Sequence, residues 1–221
     1  MNLMQYFKNL VYLIVLFIVF PASAGSYDDF FLAIKRDDAQ QVQSLLSRGF
    51  DVNTRDPQGL HGLFLAVRDE SLKTIAVLLA WPKVDVEPRN EVDESPLMLA
   101  SLRGLTQIAQ LLIDKGADVN KPGWAPLHYA ATKGHLDIMS LLLEHHAYID
   151  ASSPNETTPL MMAALYGTPS AVKLLLEAGA DPSIKNALGL TALDFALSDK
   201  RTESAQIIAA FVRGSHPKGK W

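Results

Sequence analysis

A hexapeptide pattern that returns about every 33 residues constrains this chain more than any other feature. The segments Ser95-Pro96-Leu97-Met98-Leu99-Ala100, Ala125-Pro126-Leu127-His128-Tyr129-Ala130, Thr158-Pro159-Leu160-Met161-Met162-Ala163 and Thr191-Ala192-Leu193-Asp194-Phe195-Ala196 share it. Gly62-Leu63-Phe64-Leu65-Ala66 is a weaker copy, and Phe30-Phe31-Leu32-Ala33 weaker still. The intervals between the equivalent residues Phe30, Leu63, Leu97, Leu127, Leu160 and Leu193 are 33, 34, 30, 33 and 33 residues. Such a period marks stacked supersecondary units, none of which can cover its own apolar face.

The second half of each unit repeats too. Leu45-Leu46-Ser47-Arg48-Gly49, Leu111-Leu112-Ile113-Asp114-Lys115-Gly116-Ala117-Asp118-Val119-Asn120 and Leu174-Leu175-Leu176-Glu177-Ala178-Gly179-Ala180-Asp181 each describe an apolar helix end followed by a closing glycine. Gly104, Gly134 and Gly167 recur between the halves, where a tight turn joins two short helices. By its T-P-L-H-x-A-like and L-L-x-x-G-A-D-V-N-like patterns the chain resembles the ankyrin-repeat family from residue 27 to about 212. The expected fold is an all-α solenoid of about six helix-turn-helix units with short hairpin fingers. The units run approximately 25–58, 59–92, 93–122, 123–155, 156–188 and 189–213, with a flexible tail over 214–221.

Each unit offers one apolar face, exemplified by Leu127, Ala130, Ala131, Ile138, Leu141, Leu142 and Leu143. Pro96, Pro126 and Pro159 suit a first helical turn, where the missing N–H costs nothing. His128 stands where the family's histidine stands, and the resemblance implies a structural role, hydrogen bonding to nearby backbone. Polar residues at both ends suggest caps: Asp28, Asp29, Lys35, Arg36, Asp37 and Asp38 at the first, Thr202, Gln206 and Arg213 around an apolar stripe at the last.

Two intervals are irregular. The 34 arises at Trp81-Pro82-Lys83-Val84-Asp85-Val86, where a proline and one extra residue replace the glycine closure. The 30 arises because only Lys121-Pro122-Gly123-Trp124 separate Asn120 from Ala125, about three residues fewer than separate Asp150 from Thr158. One finger is therefore clipped at its tip, which the fold tolerates. Trp124 either floors the resulting notch or packs on neighbouring fingers.

Residues 1–24 read as a secretory signal peptide. Lys8 supplies the positive n-region, Leu10 to Phe20 is an unbroken apolar run, and Ala22-Ser23-Ala24 after Pro21 is a small-residue cleavage site. A spanning helix needs about 20 apolar residues, more than this run offers. Cleavage after Ala24 would export the chain to the periplasm or beyond, with no membrane contact afterwards. The alternative is an uncleaved segment tethering a scaffold to the membrane. Export without cysteine fits a bacterial periplasm better than a disulfide-built eukaryotic domain. The formal charge of −4 becomes −5 on removing residues 1–24 (19 basic against 24 acidic), which gives no basic face for nucleic acid.

No catalytic pattern emerges, and the resemblance implies recognition without catalysis or cofactor. His145-His146, beside Glu144 and near Asp150, is the one cluster that invites metal, and a metal-dependent enzyme built on it is the alternative class. Adjacent helical residues point in different directions, so the pair lacks i, i+4 ligand geometry. The expected activity is binding of one protein partner by a monomeric module that protects or inhibits it. Arg68, Arg89, Asn90, Arg103, Trp124, Tyr129, Lys133, Met162, Tyr166 and Leu188 are the expected contact residues, with Asp69 and Asn186 beside them. They mix aromatic, methionine and arginine side chains enriched in interfaces.

Overall fold

The computed structural model describes residues 25–215. The expected signal peptide and most of the expected tail lie outside them. Residues 25–35 are helical and form α1. The remaining helices are α2 (Ala39–Ser47), α3 (Gly62–Arg68), α4 (Leu72–Ala80), α5 (Pro96–Arg103), α6 (Thr106–Asp114), α7 (Pro126–Lys133), α8 (Leu136–Glu144), α9 (Pro159–Leu165), α10 (Pro169–Glu177), α11 (Ala192–Ser198) and α12 (Thr202–Ser215). The chain is an all-α solenoid of paired helices, as its period requires. Its last helix runs two residues beyond the boundary expected at 213.

These helices are seven to nine residues long apart from the first and last, too short to stand alone in water. Their ends and their stacking hold them. Pro96, Pro126 and Pro159 each occupy the first turn of an inner helix. Ser95 Oγ accepts from the Met98 amide at 3.2 Å while Met98 Sδ accepts from the Ser95 amide at 3.4 Å, and Thr158 and Met161 repeat the exchange. Thr191 and Asp194 make the same reciprocal cap with a carboxylate. In α7 the arrangement changes: Ala125 has no side-chain acceptor, and its amide donates to His128 Nδ1 at 3.1 Å. His128 Nε2 then donates to the Thr157 carbonyl of the next repeat at 3.0 Å. The histidine is therefore structural, and it does a second job that methionine cannot.

The chain divides into two compact units, one ending at Asp85 and the other beginning at Val86. The break falls in the segment that the 34-residue interval marks as irregular. There α4 ends at Ala80, Trp81 is extended, and Lys83 takes a left-handed φ of 63°. In the first unit Phe30 is fully buried and lies so close to Gly62 that a Cβ there would sit 2.8 Å from its ring. In the second, α5, α7, α9 and α11 stack in order, and α6, α8, α10 and α12 stack behind them. Leu97, Leu127, Leu160, Ile138, Leu142 and Leu175 form its dry interior.

Two expectations need correction. Gly104 and Gly134 take left-handed φ values of 75° and 70°, but Gly167 does not. Its glycine is required by proximity, because a Cβ would stand 2.4 Å from the Ala131 carbonyl oxygen. The polar cap of the last unit, with Thr202, Gln206 and Arg213 exposed as expected, is incomplete. Leu197 is 61% exposed on α11, where no further helix pair follows among the described residues.

Candidate functional site

The fingers that lead into the inner helices are built by one recurrent device. At Asp56 the amide donates to the Leu60 carbonyl, and Oδ1 accepts from the amides of Gln58 and Leu60 at 2.9 and 2.7 Å. Asn90 closes the loop to Glu94 in the same way, Asn186 closes the loop to Leu190, and Ser153 closes the loop to Thr157 with its hydroxyl. Three residues on from each acceptor, Gly59, Asp93, Glu156 and Gly189 take left-handed φ. Short side-chain oxygens at the loop start satisfy amides that would otherwise point into the turn.

A second set of side chains ties each finger base to the following one. Asn53 Oδ1 accepts from the Asp85 amide and its Nδ2 donates to the Lys83 carbonyl. Glu87 Oε1 accepts from the Asp118 amide, Asn120 brackets His146 and Tyr148, and Asp150 accepts from the Asp181 amide. The clipped finger now has an explanation in atoms. Gly123 keeps the left-handed position (φ 83°), so three residues before it stands Asn120, which already serves the ladder. Asn120 is spent on the ladder, and no five-residue loop closes there among the described residues.

Trp124 sits in that shortened connection, half-buried, with its ring edge-on to His128 at 5.3 Å between centroids and an interplanar angle of 75°. This ring contact is with the inner helix of its own repeat. Lys121 pairs with Asp93 of the preceding finger, and that contact holds the Asp93 carboxyl below its usual range. Tyr129 is half-buried and its hydroxyl donates to Glu94 Oε1 at 3.1 Å. Burial, with the Glu94 carboxylate beside it, pushes that phenol above the ordinary tyrosine range.

The other expected contact residues divide by role. Arg68 lies in the first unit, exposed and paired with Asp69 at 2.7 Å. Arg89 is half-buried against Glu87 at 2.5 Å, and Asn90 is committed to its own finger loop. Arg103 and Lys133 are exposed at equivalent ends of α5 and α7. Met162 is half-buried on α9, Tyr166 is 60% exposed just after it, and Leu188 is 80% exposed at a finger tip. Asn186 is buried as a loop acceptor.

A family model described as "Ankyrin repeats (3 copies)" matches residues 30–122, 63–153, 119–186 and 146–217. The chain belongs to the ankyrin-repeat family. This ankyrin array is 28% identical to the Escherichia coli ankyrin repeat protein YahD over 192 residues, covering 82% of the chain and 94% of that protein. It is 30% identical to human transient receptor potential cation channel subfamily A member 1 over 67% of the chain, but spans only 14% of the channel. Among solved structures, the ankyrin repeat protein EF0377 superposes with a TM-score of 0.73 at 30% identity, covering 82% of this chain and 96% of that one. A chain of the complex between the Bdellovibrio bacteriovorus predatory endopeptidase Bd0816 and immunity protein Bd3460 superposes at 0.72 with 28% identity, covering 82% and 97%.

The ankyrin array is a non-catalytic protein-interaction scaffold. Among the described residues no group of three or more histidine, cysteine, aspartate or glutamate side chains is placed to hold a metal. His145 caps α8, and His146 takes the left-handed φ of 63° that closes the repeat. No helix among the described residues is long and apolar enough to cross a membrane.

Sequence reasoning missed Val92, 73% exposed at a finger tip. The signal was present: Val92 and Leu188 both lie two residues after a loop asparagine whose side chain receives their amides.

Proposed function

We propose that this ankyrin array is a monomeric, exported module that binds one protein partner in the periplasm and protects or inhibits it. The finger tips and the outward side of the inner helices form the contact surface. The observation that carries this reading is the exposure of Val92, Tyr166 and Leu188, large apolar side chains that the array's own stacking does not use. Arg103 and Lys133 add charge on the same helices, while Trp124 and Tyr129 support the surface from beneath. The likeness to a chain from an endopeptidase–immunity protein complex supports an enzyme as the partner. Export rests on residues 1–24 alone.

The test is capture from the host's periplasmic extract by the tagged chain, beside a Tyr166→Ala/Leu188→Asp variant. One dominant protein, held by the native chain and lost by the variant, is the expected result. No specific capture, or capture indifferent to both substitutions, overturns the reading. The intact mass of the recovered protein tests export, which predicts a chain beginning at Gly25.

A further inference from the structure

We propose that the α11–α12 end of the second unit is a docking surface for an amphipathic helix of a partner protein, apolar along one stripe and acidic along its flanks. The surface is a groove of 370 Å³ between the two last helices, with Leu193, Leu197 and Ala209 in its floor. Its position is where another helix pair would stack in a continued array, so its shape already accepts a helix. Leu197 is 61% exposed there, in a family architecture whose terminal units normally present polar outer faces.

Charge chooses among the possible occupants. Lys200, Arg201 and Arg213 rim the groove, and no acidic residue lines it. Arg201 is turned inward, where its guanidinium donates to the Gly167 carbonyl and lies 4.0 Å from Asp199. Among the described residues Lys200 and Arg213 form no ion pair, and both are exposed. A second copy docking end to end would bring these cations against their own counterparts. The chain's own segment 216–221 carries Lys218 and Lys220, again of the same sign. An acidic-flanked helix meets both the apolar floor and the free cations, and opposite potentials across a contact fix partner choice and register. This surface is separate from the finger tips and stands whether or not they bind a partner.

The test uses the full chain as its expression host processes it, and two fluorescein-labelled helical peptides of about 15 residues, near the length at which a helix holds in water. Both place leucine at i, i+3, i+4 and i+7; one has glutamate flanks and the other lysine. Saturable binding of the glutamate peptide is expected, weakened about tenfold or more by Leu197→Asp, the size of effect that a buried anchor residue carries. Lys200→Glu/Arg213→Glu should reverse the preference between the two peptides, and Leu72→Asp, at an exposed leucine of the first unit, should leave both isotherms unchanged. Thermal melts establish that each variant is folded. Absence of saturable binding, or binding indifferent to Leu197→Asp and to the charge reversal, overturns the proposal. So does a dimer that Leu197→Asp dissociates, which assigns the face to a second copy. Tighter peptide binding by a chain ending at Ser215 assigns it to residues 216–221 and overturns the proposal equally.

Discussion

His128 offers the sharpest check on how this array is held together, because neighbouring repeats supply its control. Replacing it by alanine leaves the Ala125 amide and the Thr157 carbonyl without their partners in a site where His128 is fully buried. Each unpaired buried group costs about 1–3 kcal/mol, and the lost ring adds a cavity, so His128→Ala should cost about 3–5 kcal/mol. Methionine at the same place in α5 and α9 accepts the cap amide through sulfur. His128→Met should therefore lose only the bond to the next repeat, about 1–2 kcal/mol. In urea the alanine variant should shift the midpoint about two to three times as far as the methionine variant at constant m. The histidine also has a pH signature. Burial holds the imidazoles of His128 and His61 below the usual histidine value, since both Nδ1 atoms accept backbone amides and must stay unprotonated. Between the depressed folded value and about 6.5 the unfolded chain binds more protons, so stability rises with pH there. It is fully present above about 6.5 and is lost as pH falls through that window. His128→Met should flatten this slope and leave the share due to His61. Equal midpoints for the alanine and methionine variants, or a pH slope untouched by His128→Met, would refute the reasoning.

Asn120→Ala should cost about 1–2 kcal/mol in urea unfolding, since it leaves the His146 carbonyl and the Tyr148 amide unbonded at a half-buried finger base; no loss would mean that the ladder only decorates the stack. Gly167→Ala should be far worse than Gly116→Ala, because the first puts a Cβ 2.4 Å from a backbone oxygen and the second meets open space and pays only for its left-handed φ. Expected costs are above about 3 kcal/mol and about 1 kcal/mol respectively, so thermal shifts of similar size would contradict the close-approach argument. Inserting Thr-Arg-Asp after Asn120 should restore a regular finger and change the midpoint by less than about 0.5 kcal/mol, as exposed loop tips tolerate insertion; a large loss would show that the clipped form is itself a packing requirement.

Legibility in the sequence followed the range of each interaction. Periodic apolar positions, first-turn prolines and the three-residue deficit before Ala125 are local, and each is found as expected. Asn90, by contrast, reads as a contact residue because it is polar and lies in a loop, yet its side chain is consumed by the amides of Val92 and Glu94. Arg89 likewise turns to Glu87. Exposed Val92 went unnoticed because valine suggests a core until the loop's closing oxygen is located.

The sequence by itself determined the period, the paired helices, their caps and the place of the deletion, because those depend on residues within one unit. Tertiary structure alone decided that Asn120 serves the ladder, that Trp124 leans on His128, that Gly167 is demanded by the Ala131 carbonyl, and that the α11–α12 end carries an open groove with leucines between cations. All but the Trp124 contact, which spans only four residues, pair atoms from successive repeats about thirty residues apart or leave a repeat without a neighbour. The stacking that sets such distances exists only once the units have packed.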